Sequence, residues 1–374
     1  MEDKKNGRLI KSINRLKMLL TSPNAKSITR FQFAVTYLCN SRCATCNIWR
    51  IYHNDPNLLK EELTFEEIVR IFSSIKDMKD IKQISFTGGE PFLRKDFVDI
   101  YLFFSKIYEN SSLYLVTNGI NNQLIIDKIE RIKKESSLSR LKLGVSLDGI
   151  GKNHDKIRGI EGNYEKVLSL VNFIKSSYPE IELNLSFTIS EGNFREIEEA
   201  YRISKENKAL FSFRFAQVSG SYYQNKEMNF IWPKEILKEV SSTIDKITGD
   251  MNQHRDLVEK LFRLDVHFLK RLVKYQIEQR RIFNCYSGTH SFFLDPYGKI
   301  YPCINLSSVY GNAKEEDFNN FWFSKKTKSI REGIKRGKCH CWTECETIPS
   351  LQRSPLPLIS NFLNFIFKLL NYKN

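Results

Sequence analysis

The sequence predicts an α/β fold, a partial (β/α)6 TIM-like barrel followed by a small cysteine-rich C-terminal module. Apolar, strand-like runs alternate with amphipathic, helix-like segments six times between about residues 31 and 217. Alternation at this spacing is typical of a parallel sheet, and six units are too few to close an eight-stranded barrel. Five cysteines beyond residue 284 mark the separate module.

The six units can be followed along the chain by their apolar periodicity. The predicted strands are short apolar runs, and Gly-, Asn- or Asp-containing motifs follow the second, third and fourth of them. The first helix of the barrel begins at Thr64-Phe65-Glu66-Glu67, a capping-box pattern. The predicted strands span about residues 31–38, 83–87, 113–116, 141–145, 181–188 and 210–216, and the helices about 64–75, 96–108, 122–134, 163–176 and 194–206.

Four further segments surround the barrel, which is predicted to span residues 31–217. Residues 1–30 form a basic amphipathic segment with helical spacing over residues 8–20, and residues 351–374 form a Phe-rich amphipathic tail. Residues 218–284 are a predicted helical connector, and residues 285–350 are the cysteine-rich module. For the two ends, docking onto the protein and lying on a membrane surface are both open interpretations.

The net charge of +15 is concentrated at the two ends of the chain. Residues 1–30 contain eight Lys/Arg and two acidic residues, and residues 351–374 contain three Lys/Arg and no acidic residue. A nucleic-acid groove would place this charge on the folded body, so nucleic acid is not expected as a partner. Charged, amphipathic ends suit an anionic membrane surface better. The chain shows neither a signal-peptide pattern nor a long apolar run, which predicts a cytoplasmic protein with optional peripheral contact at the inner face of the membrane.

Three cysteines, Cys39, Cys43 and Cys46, form a C-x3-C-x2-C cluster in the loop after the first predicted strand. In a reducing compartment, clustered thiols indicate a metal more often than disulfides. Three thiolates can hold three irons of a [4Fe-4S] cube and leave the fourth iron open, because four cysteines normally close such a cluster. A zinc knuckle is the alternative interpretation.

Polar and Gly-rich motifs follow three further predicted strands. Because the carboxyl ends of parallel strands meet at one edge of a sheet, these motifs and the cysteine loop are expected to form a single site. Glycines at such positions allow a ligand to approach the main chain closely. The motif residues are Gly88, Gly89 and Glu90 after the second strand, Thr117 and Asn118 after the third, and Ser146 and Asp148 after the fourth.

This combination of motifs resembles the radical S-adenosylmethionine (SAM) enzymes over about residues 31–350. The resemblance implies that the open iron binds the methionine part of SAM, which is cleaved to a 5′-deoxyadenosyl radical that abstracts hydrogen from the substrate. Residues 88–90 match the segment that engages the SAM amino group. Ser146 and Asp148 match positions that contact ribose and methionine, and Arg158 is the candidate for the SAM carboxylate.

Three further comparisons with this family concern two short motifs and one departure. Thr117 and Asn118 match a TNG motif found in one large branch, and the stretch from Arg158 to Asn163 resembles the R-G-x-x-G-(S/N) segment of the same branch. Thr45 departs from the family, which usually has an aromatic residue or His before the third cysteine, bordering adenine. Adenine recognition is therefore expected to depend on other groups.

The second cysteine group begins with Cys285 and Cys303, which bracket a predicted hairpin with an Asp-Pro-Tyr-Gly turn. Their spacing resembles the start of the SPASM module, which is called twitch when abbreviated and binds auxiliary iron–sulfur clusters. The resemblance implies one auxiliary [4Fe-4S] cluster here, with zinc as the alternative. The expected ligands are Cys285, Cys303, Cys341 and Cys345, and Cys339 is either spare or replaces one of them.

The sequence therefore predicts a radical SAM, oxidoreductase-like enzyme that needs an external flavodoxin- or ferredoxin-like electron donor. The basic ends favour a lipid or lipid-linked glycan substrate at a membrane surface, and a peptide or small metabolite is the alternative. In the sulfatase-maturing relatives an acidic base follows the second hairpin cysteine, but here that residue is Ile304, which disfavours alcohol oxidation by their route. The rival class is a non-catalytic protein, either an electron carrier or a zinc-stabilised binding module.

Overall fold

The computed structural model describes residues 27–76, 78, 80–253, 263–339 and 341–354 of the 374-residue chain. The predicted helix at residues 8–20 and all but four residues of the predicted tail lie outside this part. The described chain divides into two compact units. The sheet unit comprises residues 27–231 and 287–332, and the helical unit comprises the described residues of 232–286 and 333–354.

A nine-stranded sheet forms the centre of the sheet unit, in the order β6-β5-β4-β3-β2-β1-β7-β8-β9. Neighbouring strands from β6 through β1 to β7 are parallel, whereas β7, β8 and β9 pair antiparallel. The sheet does not close on itself, so the predicted partial barrel is confirmed. The strands are β1 (Arg30–Thr36), β2 (Gln83–Gly88), β3 (Ser112–Thr117), β4 (Leu141–Ser146), β5 (Glu182–Ile189), β6 (Leu210–Phe215), β7 (Ser291–Leu294), β8 (Lys299–Tyr301) and β9 (Gly311–Asn312).

Helices follow the strands as the alternation predicts. In chain order they are α1 (Arg50–Asn54), α2 (Phe65–Ser74), α3 (Phe97–Ile107), α4 (Asn122–Glu135), α5 (Lys152–Arg158), α6 (Asn163–Ser177), α7 (Ile197–Glu206), α8 (Lys234–Met251), α9 (Leu264–Glu278), α10 (Phe318–Trp322), α11 (Lys325–Lys335) and α12 (Glu344–Gln352). Short 3₁₀ turns occur at Pro56–Glu61, Pro91–Leu93, Leu138–Arg140 and Phe194–Glu196. The predicted capping box is confirmed at α2, where Thr64 and Glu67 exchange hydrogen bonds between side chain and main chain.

The predicted hairpin is present, but it belongs to the barrel sheet. Strand β7 pairs in parallel with β1, from Arg30 opposite Ser291 to Phe33 opposite Leu294, and β8 returns antiparallel to β7. Residues 287–332 therefore group with the sheet, and the boundaries of the module at residues 285–350 stay a prediction. The physical reason is that β1 has a second hydrogen-bonding edge, which β7 satisfies.

The two faces of the sheet differ in polarity. On the face covered by helices, Phe31 stacks on Phe292 with ring centroids 5.1 Å apart and packs against Phe72 at 5.0 Å. The opposite, inner face alternates with it along each strand and presents polar side chains, among them Tyr114 and Ser212, which are only half-buried. A helix-covered apolar face and a polar inner face are what an open barrel needs to admit a hydrophilic ligand.

The helical unit has its own small core around Trp342. Its indole stacks on Phe268, with ring centroids 5.8 Å apart and an interplanar angle of 9°, and its Nε1 donates a hydrogen bond to the Phe268 carbonyl at 2.9 Å. Phe283 meets the same ring edge-on. Helices α8, α9 and α12 belong to this unit. None of the helices in the described part of the chain combines the length and hydropathy needed to cross a lipid bilayer.

Candidate functional site

The cysteine loop follows β1 and is held by the C-terminal end of α5. The Arg42 and Ala44 amides donate to the carbonyls of Arg158 and Ile157, at 2.9 and 2.8 Å. The Ser41 hydroxyl also donates to the Arg158 carbonyl, at 2.9 Å. These bonds use the carbonyls that a helix end leaves without intrahelical partners, so the loop is fixed on both sides of Cys43.

Gly159 allows this close approach of α5 and the cysteine loop. It ends α5 in the left-handed conformation, with φ of +69°, a position that favours glycine. A Cβ atom at this position would lie 2.6 Å from the Arg42 carbonyl oxygen. Packing against the cysteine loop therefore requires the glycine of the Arg-Gly motif.

The thiols of the loop lie in a buried environment that opposes their ionisation. Burial, followed by the neighbouring Cys43, raises the pKa of Cys39 to about 12, and the same two causes raise the pKa of Cys46. Thiolates are the form that binds metal, so positive charge from bound iron would be needed to stabilise all three. Among the described residues, no three His, Cys, Asp or Glu side chains are arranged to hold a single metal ion.

The predicted Gly-Gly-Glu segment packs directly on the main chain that follows β1. The amides of Gly89 and Glu90 donate to the carbonyls of Thr36 and Leu38, both at 2.8 Å. A Cβ atom on Gly88, whose φ is +128°, would lie 2.0 Å from the Thr36 oxygen, and one on Gly89 would lie 2.2 Å from the Leu38 oxygen. Only glycine fits at these two positions, and the segment brings Glu90 next to the cysteine loop.

Glu90 and the predicted Thr117-Asn118 pair meet in one buried cluster. The Glu90 carboxylate, 3% exposed, accepts hydrogen bonds from the Thr117 hydroxyl at 3.0 Å and the Asn118 amide at 2.7 Å. The Asn118 side chain donates to the Asn40 side chain, within the cysteine loop, at 2.8 Å. Burial raises the pKa of Glu90 to about 7 in spite of these donors. Thr117 and Asn118 thus orient Glu90 and connect it to the loop.

Asp148 and Arg158 form a buried ion pair at the same edge of the sheet. The Arg158 Nη1 lies 2.9 Å from Asp148 Oδ2, with the two side chains 12% and 5% exposed, and Asp148 Oδ1 accepts from the Thr188 amide at 2.6 Å. Both carboxylate oxygens of Asp148 are therefore used within the protein. Burial would lower the pKa of Arg158, but the thiol of Cys43 and the Asp148 carboxylate raise it. Ser146 lies half-buried at the end of β4.

These residues fit the groups that the motifs imply. Three thiols on one loop suit a [4Fe-4S] cube with one open iron. The Nε of Arg158 is buried and has no hydrogen-bond partner among the described residues, which is a costly state that an anionic group such as a carboxylate would relieve. The chain thus offers sulfur donors for a cluster and, beside them, a cationic donor for the carboxylate of a bound ligand.

One segment that contacts this site is not predicted from the sequence. Residues 217–225, here called the strap, follow β6 and carry Tyr222 and Asn225, both buried. Asn225 Nδ2 donates to the Thr45 carbonyl at 2.9 Å, and the Asn47 amide donates to the Tyr223 carbonyl at 2.8 Å. The available signal was the stretch Ser-Gly-Ser-Tyr-Tyr-Gln-Asn immediately after β6, since it lies at the strand edge where the other motifs lie.

The C-terminal cysteines lie in both units. Cys303 belongs to the sheet unit, and Cys285, Cys339, Cys341 and Cys345 belong to the helical unit. Within the helical unit, burial and the neighbouring Cys285 raise the pKa of Cys339, whose Sγ lies 3.8 Å from Arg281 Nη1. Cys341 Sγ lies 3.4 Å from the Thr343 hydroxyl. The predicted ligand set of the auxiliary cluster stays a prediction.

Comparison with known proteins agrees with the site. Residues 33–204 match the radical SAM superfamily model, and residues 285–346 match the SPASM iron–sulfur cluster-binding domain. The chain is 24% identical over 313 residues to the AdoMet-dependent heme synthase of Methanosarcina barkeri, which covers 80% of this chain and 84% of that relative. It is 21% identical over 296 residues to AlbA, the antilisterial bacteriocin subtilosin biosynthesis protein of Bacillus subtilis, covering 77% and 59% of the two chains.

The fold also has solved counterparts. The crystal structure of SuiB from Streptococcus suis superimposes with a TM-score of 0.59 at 15% identity, covering 86% of this chain and 71% of SuiB. That likeness concerns the fold alone. The family-model matches show that residues 33–204 are a radical SAM domain, a domain that binds SAM at a [4Fe-4S] cluster, and that residues 285–346 are a SPASM domain, which binds auxiliary iron–sulfur clusters.

Proposed function

We propose that this protein is an enzyme that removes a hydrogen atom from a hydrophilic substrate, with Cys39, Cys43 and Cys46 as the ligands of the SAM cluster. When bound, the cluster and SAM together supply the carbon radical for this step. One observation carries the proposal. The cysteine loop, the buried Glu90 and the Asp148–Arg158 pair converge at the carboxyl edge of one parallel sheet.

The residues around the loop have separate tasks in this proposal. Glu90, ionised and fixed by donors from β3, accepts from the amino group of SAM, and the unpartnered Nε of Arg158 donates to its carboxylate. Asp148 orients Arg158 and is retained as a proposed SAM contact, because each oxygen of an ionised carboxylate can accept more than one hydrogen bond. Ser146 remains the residue proposed for the ribose.

A hydrophilic substrate is supported by the inner face of the sheet. Its central positions form a hydrogen-bonded row in which Asn184 Nδ2 donates to the Tyr114 hydroxyl at 3.1 Å and to the hydroxyls of Ser186 and Ser212 at 2.8 and 3.0 Å. An acyl chain would bury these groups without replacing their contact with water. The two relatives are named for heme synthesis and bacteriocin biosynthesis, so we favour a small polar molecule or a peptide.

The membrane hypothesis has less support. It rested on the charge and amphipathicity of residues 1–30 and 351–374, of which only residues 27–30 and 351–354 are described. Loss of liposome binding on deleting residues 355–374 would restore it. A flavodoxin- or ferredoxin-like electron donor, and one auxiliary cluster held by Cys285, Cys303, Cys341 and Cys345, are retained as parts of the proposal.

Anaerobic reconstitution tests the proposal. We expect about eight irons per chain, four for each of two clusters, and release of 5′-deoxyadenosine after addition of dithionite and SAM. The Cys43→Ala variant is expected to lose about four irons and all SAM cleavage. The matched Cys339→Ala variant, at the spare cysteine, is expected to keep both. Zinc in place of iron, with no SAM cleavage in the unsubstituted protein, would instead support the non-catalytic binding module.

A further inference from the structure

The side chain of Asn225 forms buried hydrogen bonds that hold the strap, residues 217–225, in place. The side chain is 0% exposed and uses its whole amide group. Its Oδ1 accepts from the Ser219 amide at 2.8 Å, and its Nδ2 donates to the carbonyls of Gln217 and Thr45, both at 2.9 Å. One amide therefore closes the strap on itself and binds the main chain between Cys43 and Cys46.

Two more contacts join the strap to the cysteine loop. Asn47, next to Cys46, donates from its amide to the Tyr223 carbonyl at 2.8 Å and from Nδ2 to the Gln224 carbonyl at 3.1 Å. Gln224 has a positive φ of 54°, which is uncommon for a residue other than glycine. That conformation points consecutive carbonyls at Asn47, and such strain persists where the surrounding contacts over-determine it.

The same strap reaches the Gly-Gly-Glu segment through Tyr222. Its buried hydroxyl contacts the Thr87 hydroxyl and lies 3.3 Å from both the amide and the carbonyl oxygen of Gly88. The ring packs edge-on against Phe293 of β7 at 5.4 Å. Tyr222 therefore binds the end of β2 directly, through Thr87 and Gly88.

The strap is itself anchored on the hairpin segment of the sheet unit. The hydroxyls of Ser219 and Ser221 both donate to the carbonyl of Ile304, the second at 3.1 Å. The Tyr37 hydroxyl donates to the Ser221 carbonyl at 3.3 Å. With these anchors, the strap is a rigid support rather than a free loop.

We infer that Asn225 and Tyr222 are positioning residues for SAM binding, acting through the cysteine loop and Gly88. They need no contact with SAM, because each binds main-chain atoms of a segment that the site uses. The inference rests on the proposed function for its SAM-binding part. It also explains how a loop with Thr45 before its third cysteine is held, since the carbonyl of Thr45 is the atom that Asn225 binds.

The test uses the full-length reconstituted protein and the isosteric Asn225→Asp variant, whose carboxylate cannot donate to the two carbonyls. Anaerobic hydrogen exchange is measured on a peptide spanning residues 44–49, and SAM affinity is measured by equilibrium dialysis. We expect faster exchange in this peptide and a Kd for SAM raised about tenfold or more, as loss of a buried hydrogen bond implies. The control is Asn207→Asp, which removes the same kind of amide donor, to the Ile203 carbonyl at the end of α7; both readouts should match the unsubstituted protein.

The hydrogen-exchange and SAM-affinity measurements distinguish the positioning role of the strap from the proposed function. If the unsubstituted protein binds no SAM, the proposed function fails, while the exchange comparison still tests the strap. Unchanged exchange and unchanged Kd in Asn225→Asp would overturn the inference, as would equal changes in Asn207→Asp. If Asn225→Asp does not fold, Tyr222→Phe decides, because it keeps the packed ring and removes only the hydroxyl. For Tyr222→Phe we expect faster hydrogen exchange over residues 86–90 and weaker SAM binding. No change in either measurement would refute the positioning role of the strap.

Discussion

The buried carboxylate of Glu90 predicts that SAM binding depends on pH in a way that one substitution abolishes. Burial raises the pKa of Glu90 from the ordinary value of 4.5 to about 7 in the SAM-free protein. A bound amino group favours the ionised carboxylate and lowers that pKa. SAM must therefore bind the ionised form, and its apparent affinity falls as the pH drops below about 7.

The size of the effect follows from the position of this pKa. With a pKa of about 7, the ionised fraction falls from about nine-tenths at pH 8 to about one-tenth at pH 6, so the Kd for SAM should rise about tenfold. The contribution of Glu90 to the free energy of unfolding of the SAM-free protein has the opposite pH dependence to SAM affinity. Between pH 4.5 and 7 the folded state holds more protons than the unfolded state at this residue, so its contribution to stability is largest at low pH and is lost as the pH rises.

Glu90→Gln is the decisive variant, because glutamine has a similar shape and does not titrate. We expect weaker SAM binding at pH 8 and a Kd that loses the tenfold pH dependence. Radiolabelled SAM and equilibrium dialysis on reconstituted protein at pH 6, 7 and 8 give both curves. Titration of SAM itself affects both proteins equally, so the difference between their slopes isolates Glu90. Equal slopes for the two proteins would refute the reasoning.

Three other substitutions test the packing around the site. Gly144→Ala would place a Cβ atom 2.3 Å from the Tyr114 hydroxyl oxygen; we expect a loss of about 1–3 kcal/mol in the free energy of unfolding, partly recovered by Tyr114→Phe in a urea-denaturation double-mutant cycle. Gly89→Ala would press a methyl group on the main-chain oxygen after β1; SAM binding should be lost in dialysis while the iron content stays the same. Arg158→Met leaves the Asp148 carboxylate buried without its partner; chemical denaturation should show a loss of about 3–5 kcal/mol, and Asp148→Asn in the same chain should restore part of it.

The parts of this fold that sequence predicts are those with local patterns. Alternating apolar residues identify the six parallel strands, and the position of each motif after its strand implies a common edge. That reasoning correctly joins Glu90 with Thr117 and Asn118, although these residues lie on different strands. The reasoning works because the carboxyl ends of parallel strands lie at the same edge of the sheet, so motifs that follow neighbouring strands lie close together.

The parts that sequence does not predict depend on partners far along the chain. Asn225 binds Thr45 across 180 residues, and the sequence around either residue does not predict this contact. The pairing of β7 with β1 joins segments that are still further apart along the chain, and no local pattern predicts it. Asp148 illustrates a third limit: its motif predicts a SAM contact, but not the hydrogen bonds that its carboxylate also accepts from Arg158 and the Thr188 amide.

The pairing of β7 with β1 also determines the order in which this protein can be completed during synthesis. Thr29 and His290 meet across 261 residues, so β1 has no partner on that edge until the ribosome has added the hairpin. Until then, an unpaired parallel edge lies beside the cysteine loop, and such edges are prone to pair with other chains. We expect nascent chains stalled before residue 291 to need chaperones. We also expect cluster insertion to follow release of the hairpin from the ribosome, because β7 must pair with β1 before the sheet beside the cysteine loop is complete.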